Sequence, residues 1–227
     1  MTRPHVLLSV AVSLDGYIDD RSDERFPLSN AEDFDHVDRL RAESGAILVG
    51  AQTVRRDNPR LLVNSAERRA ARVAAGRPEY PLKVTVTHSG ALSPDLRFWH
   101  HGGEKLVYTT DAGGCLVSEK LAGLADVVSL GASIDFATLL DDLGHRGVDR
   151  LMVEGGGRTH TAFLAAGLAD EIRVAVAPML IGQATAPRFV LPAEFPGGPA
   201  RRFHLADVAA LGDVAVLRYF PKRSGAT

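Results

Sequence analysis

A series of short, almost uninterrupted apolar runs restricts this chain more than any other feature of its sequence. The first, His5 to Ser13, carries valine or leucine on nearly every position. A half-exposed strand would alternate with polar residues, so this one is expected to be covered on both faces, near the centre of a sheet. Ala46 to Val49, Leu82 to Thr87, Lys105 to Thr110, Val127 to Leu130 and Arg150 to Val153 continue the series. Between the first two, Asn30 can cap a helix running to about Glu43, with Phe34, Val37, Leu40 and Arg41 at three- and four-residue spacings, Asp33 in the first turn and Gly45 as the stop. Gln52 to Arg56 reads as a short helix ended by Asn58-Pro59. Phe136, Leu139, Leu140 and Leu143 mark one helix face, and Thr159 to Ala166 another helix closed by Gly167. This is the rhythm of an α/β fold with a mainly parallel central sheet flanked by helices.

From Glu171 the character changes. Ile172 to Ala177, Arg202 to Ala206 and Val214 to Phe220 read as strands with no helices between them, hence antiparallel edge strands at the C-terminal end. No linker or repeat interrupts the 227 residues, so one domain over 1–227 is expected, with Pro221 to Thr227 as a loose tail. Ser65 to Gly76 carries Arg68, Arg69 and Arg72 among alanines and reads as an exposed helical insertion with a solvated basic face.

Charge and cysteine usage narrow the partners. With 26 basic and 28 acidic residues there is no field to recruit a polyanion, so nucleic acid is not expected. The apolar run near the N-terminus is too short for a signal or membrane segment, and no membrane partner is expected. The single Cys115 cannot form an internal disulfide; it is expected to be a small buried residue in a reducing cytoplasm. His88, His100, His101 and His160 lack ligand spacing, so no metal is expected.

The chemistry concentrates at strand-to-helix junctions. In Val153-Glu154-Gly155-Gly156-Gly157-Arg158-Thr159 a buried strand meets three glycines and then a helix, where backbone amides and the helix N-terminus favour a pyrophosphate. The pattern is neither a dinucleotide fingerprint nor a P-loop, and a flexible strand-to-helix turn is the plain alternative. Glu154 stands at the carboxyl end of that strand, where open α/β sheets bind ligands. Ser13-Leu14-Asp15-Gly16-Tyr17-Ile18-Asp19 reads as a turn after the first strand.

Ser13-Leu14-Asp15-Gly16, Arg41-Ala42-Glu43 leading into Ile47-Leu48-Val49-Gly50, then Thr53-Val54, Asp57-Asn58-Pro59-Arg60-Leu61, Val153 to Gly157, Gly167 to Glu171 and Ala177 to Gly182 together closely resemble the reductase domain of bacterial riboflavin biosynthesis. The resemblance spans nearly the whole chain, with the motifs in the family's order. It implies a dihydrofolate-reductase-like fold, a homodimer, and an NADPH-dependent reductase transferring hydride to a pyrimidine-derived, pteridine-like or imine substrate. The pathway reaction itself, reduction of 5-amino-6-(5-phosphoribosylamino)uracil, is the narrower alternative. A nucleotide-binding protein without catalysis is a further one.

By the same resemblance Asp57 and Glu154 are the catalytic, substrate-facing carboxylates, Asp57 on a loop after the Ala46 to Val49 strand. Arg41 lies near the substrate phosphate, unless it is only a helix-surface arginine paired with Glu43. Gly50 and Thr53, the latter capping the following turn, face the nicotinamide. Ser89, helped by Arg97, meets the adenosine ribose with its 2′-phosphate, and Gly155, Gly156, Gly157 and Arg158 hold the pyrophosphate. The chain departs from the family at Ser9, a substrate-site position where a lysine is usual, at Arg25 and Pro27 in place of a serine and a tryptophan, and at Asn64 in place of an arginine. These departures leave the cofactor half of the site better matched than the substrate half.

Overall fold

The computed structural model describes residues 2–22 and 26–222. Arg25 and positions 223–227 of the expected tail lie outside the described residues. In chain order the elements begin β1 (His5–Ser13), α1 (Ala31–Glu43), β2 (Ala46–Gly50), α2 (Ala51–Asp57), α3 (Ala66–Ala74), β3 (Leu82–Thr87), α4 (Arg97–His100) and β4 (Lys105–Thr109). They continue α5 (Asp111–Lys120), β5 (Asp126–Ser129), α6 (Phe136–His145), β6 (Arg150–Gly155), α7 (Gly157–Ala165), β7 (Glu171–Ala177), β8 (Phe203–Leu211) and β9 (Val214–Pro221). The chain forms two compact units, Met1–Pro4 with Val37–Met152 and His5–His36 with Val153–Thr227, and passes from the first to the second within β6.

In the first unit the strands run in the order β5-β4-β3-β2, each pair parallel, with Leu48 beside Val84 and Val84 beside Leu106. The continuous apolar character of these strands has its cause here. Ile47 and Val49 pack on one side with Val54, Leu61, Phe98 and Trp99 in a dry cluster, and Leu48 and Val84 on the opposite pleat are equally buried. Phe98 and Trp99 meet edge to face at 4.7 Å, and the Trp99 indole N–H donates to the Ser93 carbonyl at 2.7 Å, so its polar atom is not left unpaired.

In the second unit β7 is parallel to β1 and interior to the sheet, so Ile172 to Ala177 is not the antiparallel edge strand expected; the antiparallel pairings begin at β9, which pairs with both β7 and β8. Asn30 caps α1 through Asp33 N at 2.9 Å and also donates to Leu211 O and Asp213, tying the helix start to the β8–β9 turn. Asp33 forms an ion pair with Arg173 of β7, both fully buried, and Glu171 receives His5 at 3.1 Å and Arg218 at 2.6 Å. Among the described residues no helix is long and apolar enough to cross a membrane.

Several expectations need correction. Helices α4 and α5 stand between β3 and β4 and between β4 and β5, where the sequence reading placed no helix. The Gly113-Gly114 pair depresses helix propensity, yet a Cβ at Gly113 would run into Thr109 Oγ1 and the His88 carbonyl, so packing demands the glycine and overrides its helix cost. Strand β8 extends to Leu211, well beyond Ala206, through a register shift between Leu205 and Asp207 that hides the period-two pattern. Helix α7 begins at Gly157 instead of Thr159, and Cys115 is exposed on α5 rather than buried.

The basic insertion is also not a solvated face. Arg72 is buried, donating to Ala42 O at 2.7 Å, Ser44 O at 2.8 Å and Pro78 O at 2.9 Å, where burial pushes its guanidinium down to about 10. Arg68 bonds Asp38 at 2.9 Å and Arg69 bonds Glu79 at 2.9 Å. Arg72 thus closes carbonyls at and just beyond the end of α1, while Arg68 and Arg69 are held in ion pairs. Arg72→Ala should destabilise the protein by about 2 to 4 kcal/mol in urea unfolding, since three carbonyls lose their donor. A solvated arginine would cost no more than about 0.5 kcal/mol.

Candidate functional site

Gly50 closes β2 and caps α2 with φ −68° and ψ 151°, an extended conformation open to any residue. Thr53 is a helical residue in the first turn of α2, so it does not cap that helix; Gly50 holds the capping position. Asp57 is the last residue of α2 rather than part of a loop directly after the strand, and it is half-buried.

The segment after Asp57 is conformationally demanding. Asn58 at φ 42° and Leu61 at φ 47° are the only non-glycine residues with positive φ among those described. Three cations hold it. Arg97 donates through its backbone N–H to Asn58 Oδ1 at 2.7 Å and through its guanidinium to Asn58 O at 3.1 and 3.3 Å. Lys83 Nζ donates to Arg60 O at 2.9 Å, and Arg41 Nη1 to Leu62 O at 3.1 Å. Arg97 is therefore engaged with the Asp57 segment.

Ser89 is exposed in the loop after β3, its hydroxyl near Ala91 N at 3.4 Å. That loop is fixed to the start of α5. Thr110 Oγ1 donates to His88 O at 3.0 Å and accepts from Gly113 N at 3.3 Å, and a Cβ at Gly90 would stand 2.6 Å from Val117 Cγ2. Thr110 escaped the sequence reading because Gly113-Gly114 obscured the helix that it caps.

In the second unit, Glu154 is half-buried near the end of β6, and Gly156 caps α7 at φ 83° with no side chain bonding the helix's first amides. Its carbonyl accepts from Thr159 N at 2.9 Å and His160 N at 3.1 Å. The start of a nine-residue helix that no side chain caps, with a residue at positive φ before it, suits a close-lying anion. Gly157 has a different cause: a Cβ there would overlap the Arg188 carbonyl oxygen, so this glycine is required by packing. Arg158 is exposed. His160, overlooked in the sequence as one more isolated histidine, is fully buried against Phe189 at 5.2 Å with both ring nitrogens unpartnered, and burial pushes it down to about 4, which keeps the imidazole neutral. Ser9 lies in the middle of β1, buried, in register with Arg173. The positions expected at the site thus fall into two sets: Arg41, Gly50, Thr53, Asp57 and Ser89 in the first unit, and Ser9, Glu154, Gly155, Gly156, Gly157 and Arg158 in the second. Among the described residues no group of three His, Cys, Asp or Glu side chains is placed to hold a metal.

A family model described as the RibD C-terminal domain matches residues 4–217. The chain belongs to the RibD C-terminal domain family. It is 39% identical over 186 residues to the 2,5-diamino-6-ribosylamino-4(3H)-pyrimidinone 5′-phosphate reductase of Archaeoglobus fulgidus, covering 82% of this chain and 85% of that one. To the reductase of the same name from Methanothermobacter thermautotrophicus it is 34% identical, covering 79% and 80%. The riboflavin biosynthesis protein RibD of Escherichia coli is 29% identical over 79% of this chain, which spans 49% of that longer protein. Among solved structures, Acinetobacter baumannii RibD superposes with a TM-score of 0.81 at 27% identity, over 97% of this chain and 59% of that one. A pyrimidine reductase-like protein from Corynebacterium diphtheriae, at TM-score 0.79 and 22% identity, covers 97% and 93% and shares the fold. The fold is thus the dihydrofolate-reductase-like arrangement expected from the motifs, with a mainly parallel sheet and antiparallel C-terminal strands.

One RibD-family motif has a structural explanation. Asp15 accepts from Ser13 Oγ at 2.6 Å, Ile181 N at 3.1 Å and Gly182 N at 2.7 Å, so it fastens the turn after β1 to the segment after β7. Gly16 supplies the turn's φ of 85°. Arg188 lies 4.1 Å over the Tyr17 ring and bonds its hydroxyl at 2.7 Å. The Ser13 hydroxyl and the two amides hold the Asp15 carboxyl down to about 2. A carboxyl lowered on folding contributes stability above its unfolded pKa, about 3.9, and loses it as the pH falls through the folded value. The stability difference between the wild type and Asp15→Asn should therefore be full above about pH 4 and close toward pH 2, as read by urea unfolding across that range.

Proposed function

We propose that the chain is an NADPH-dependent reductase acting on a ribosylaminopyrimidine 5′-phosphate in riboflavin formation, converting its ribosyl unit into a ribityl chain. The observation that carries this reading is the 39% identity to the Archaeoglobus reductase, a protein of which this chain covers 85%. The substrate in that protein's name, the 2,5-diamino-pyrimidinone, is the first candidate. The deaminated aminouracil analogue, the narrower alternative of the sequence reading, is the second. Asp57 and Glu154, the two site carboxylates, are both present, which favours an enzyme over a binding protein that has lost catalysis.

The chemistry asks for few protein groups. Protonation of the ribose ring oxygen with cleavage of its bond to C1 gives an open chain whose C1 is an iminium. Bound NADPH supplies the hydride that C1 accepts, and the product is the ribitylamine. The residues around Gly156 fit such a cofactor: the start of α7 would hold its pyrophosphate, with Arg158 beside it, and the family resemblance assigns Ser89 to its adenosine ribose. By the same resemblance Gly50 and Thr53 would meet the nicotinamide. Asp57, as a carboxylate, favours the cationic iminium over the closed, neutral sugar, and Glu154 bonds the amino groups of the pyrimidine. Arg41, at the end of α1, takes the substrate phosphate, while Ser9 replaces a charged substrate contact with a neutral one.

The same reading includes a cytoplasmic homodimer. Phe203, Leu205 and Val208 are 40%, 47% and 58% exposed on β8, at the end of the strand order, where a second copy would cover them. Sedimentation reads the oligomeric state directly.

NADPH oxidation should be fastest with the diamino-pyrimidinone phosphate, slower with the aminouracil, and absent with dihydrofolate. Asp57→Asn should lower kcat on the order of a hundredfold while leaving the melting temperature and NADPH affinity in place. Full turnover in that variant would remove Asp57 from the chemistry.

A further inference from the structure

Lys83 is the most unusual charge in the first unit. It sits at the second position of β3, fully buried, in a strand otherwise made of valine, leucine and threonine. Among the described residues no carboxylate lies within ion-pair distance of it. Its ammonium instead donates to three backbone carbonyls, Arg60 O at 2.9 Å, His101 O at 3.0 Å and Phe98 O, and lies 4.3 Å over the Phe98 ring. Burial and the neighbouring Lys105 ammonium push the amine down to about 7, while the three acceptors and the ring face favour keeping its proton. A stabilising core residue at this position would be a valine or leucine, so the retained charge calls for another role.

Its partners indicate that role. Arg60 is three residues beyond Asp57, in the segment with positive φ at Asn58 and Leu61. Asn58 is the αL cap of α2, a conformation asparagine tolerates, but Leu61 holds a positive φ with a bulky side chain, so this stretch of backbone needs outside support to stay in that shape. Lys83 bonds the carbonyl between these two positions, and Arg97 bonds Asn58 itself. His101 and Phe98 belong to the α4 segment that starts at Arg97, so one ammonium fastens both the segment after Asp57 and the segment that carries its second pin.

We propose that Lys83 is a positioning residue for the reaction: it clamps the Asn58–Leu62 segment to the start of β3 and, together with Arg97, sets where the Asp57 carboxylate stands. This inference rests on the reading of Asp57 as a substrate-site carboxylate. Lys83 touches neither substrate nor cofactor and acts only through the chain that it holds.

The test compares wild type, Asp57→Asn, Lys83→Met, Arg97→Ala and the double variants Asp57→Asn/Lys83→Met and Asp57→Asn/Arg97→Ala. Measured for each are kcat, KM for the diamino-pyrimidinone phosphate, NADPH affinity, melting temperature and hydrogen exchange of the 58–62 amides. Lys83→Met should speed exchange at 58–62 and lower kcat by roughly ten- to a hundredfold, the scale of an ångström of misplacement, with NADPH affinity unchanged. In the Asp57→Asn background the same change should cost little more, because the two residues act through one carboxylate. Unchanged kcat in folded Lys83→Met, or a loss of equal size with and without Asp57, overturns the proposal. Should Lys83→Met fail to fold, the exposed Arg97→Ala decides by the same criteria. If Asp57→Asn alone keeps full turnover, the reading of Asp57 fails and this inference falls with it. If Asp57→Asn loses turnover while Lys83→Met and Arg97→Ala do not, only the positioning role is lost.

Discussion

A cation removed from water must be met by opposite charge or by dipoles aimed at it, and this fold meets that demand at the points where its chain segments join. Arg72 spreads its guanidinium over carbonyls at the end of α1 and the exit from α3. Lys83 gathers carbonyls from two segments that lie 38 residues or more apart in the sequence, Arg60 on one side and Phe98 with His101 on the other. Arg173 reaches from β7 to Asp33 in the first turn of α1. Removing Arg72 or Lys83 would strand three carbonyls at once, and removing Arg173 would leave a buried carboxylate without its cation. The connections are therefore specific as well as stabilising.

The junction of β6 with α7 shows a second economy, in which three consecutive glycines answer to different causes. Gly155 ends the strand, Gly156 takes the positive φ that opens the helix amides, and Gly157 gives way to the Arg188 backbone. A sequence motif of this kind invites one explanation for all its members, yet close packing accounts for the last of them without any ligand. The Ser13-Leu14-Asp15-Gly16 motif behaves similarly: its carboxylate is spent on the amides of Ile181 and Gly182.

Much of the fold was legible in the sequence. Runs such as Ile47-Leu48-Val49 can only be strands covered on both faces, Asn30 and Gly45 bound α1, and the loss of helical pattern after Glu171 foretold the antiparallel pairing of β8 and β9, though not the parallel pairing of β7 with β1. These features depend on local periodicity and on caps, which are written in neighbouring residues. Asp57 and Gly156 could likewise be singled out, because family motifs and a strand-to-helix junction are local too. Tertiary structure decided the rest. It made a helix of Asp111–Lys120 despite two glycines, buried Arg72 in a segment that looked solvated, exposed Cys115, left His160 neutral in the core, and turned Arg97 and Lys83 onto the segment after Asp57. In each case the deciding partner is a backbone or side-chain atom far away in sequence, and no window of neighbouring residues records which carbonyl a buried cation will find.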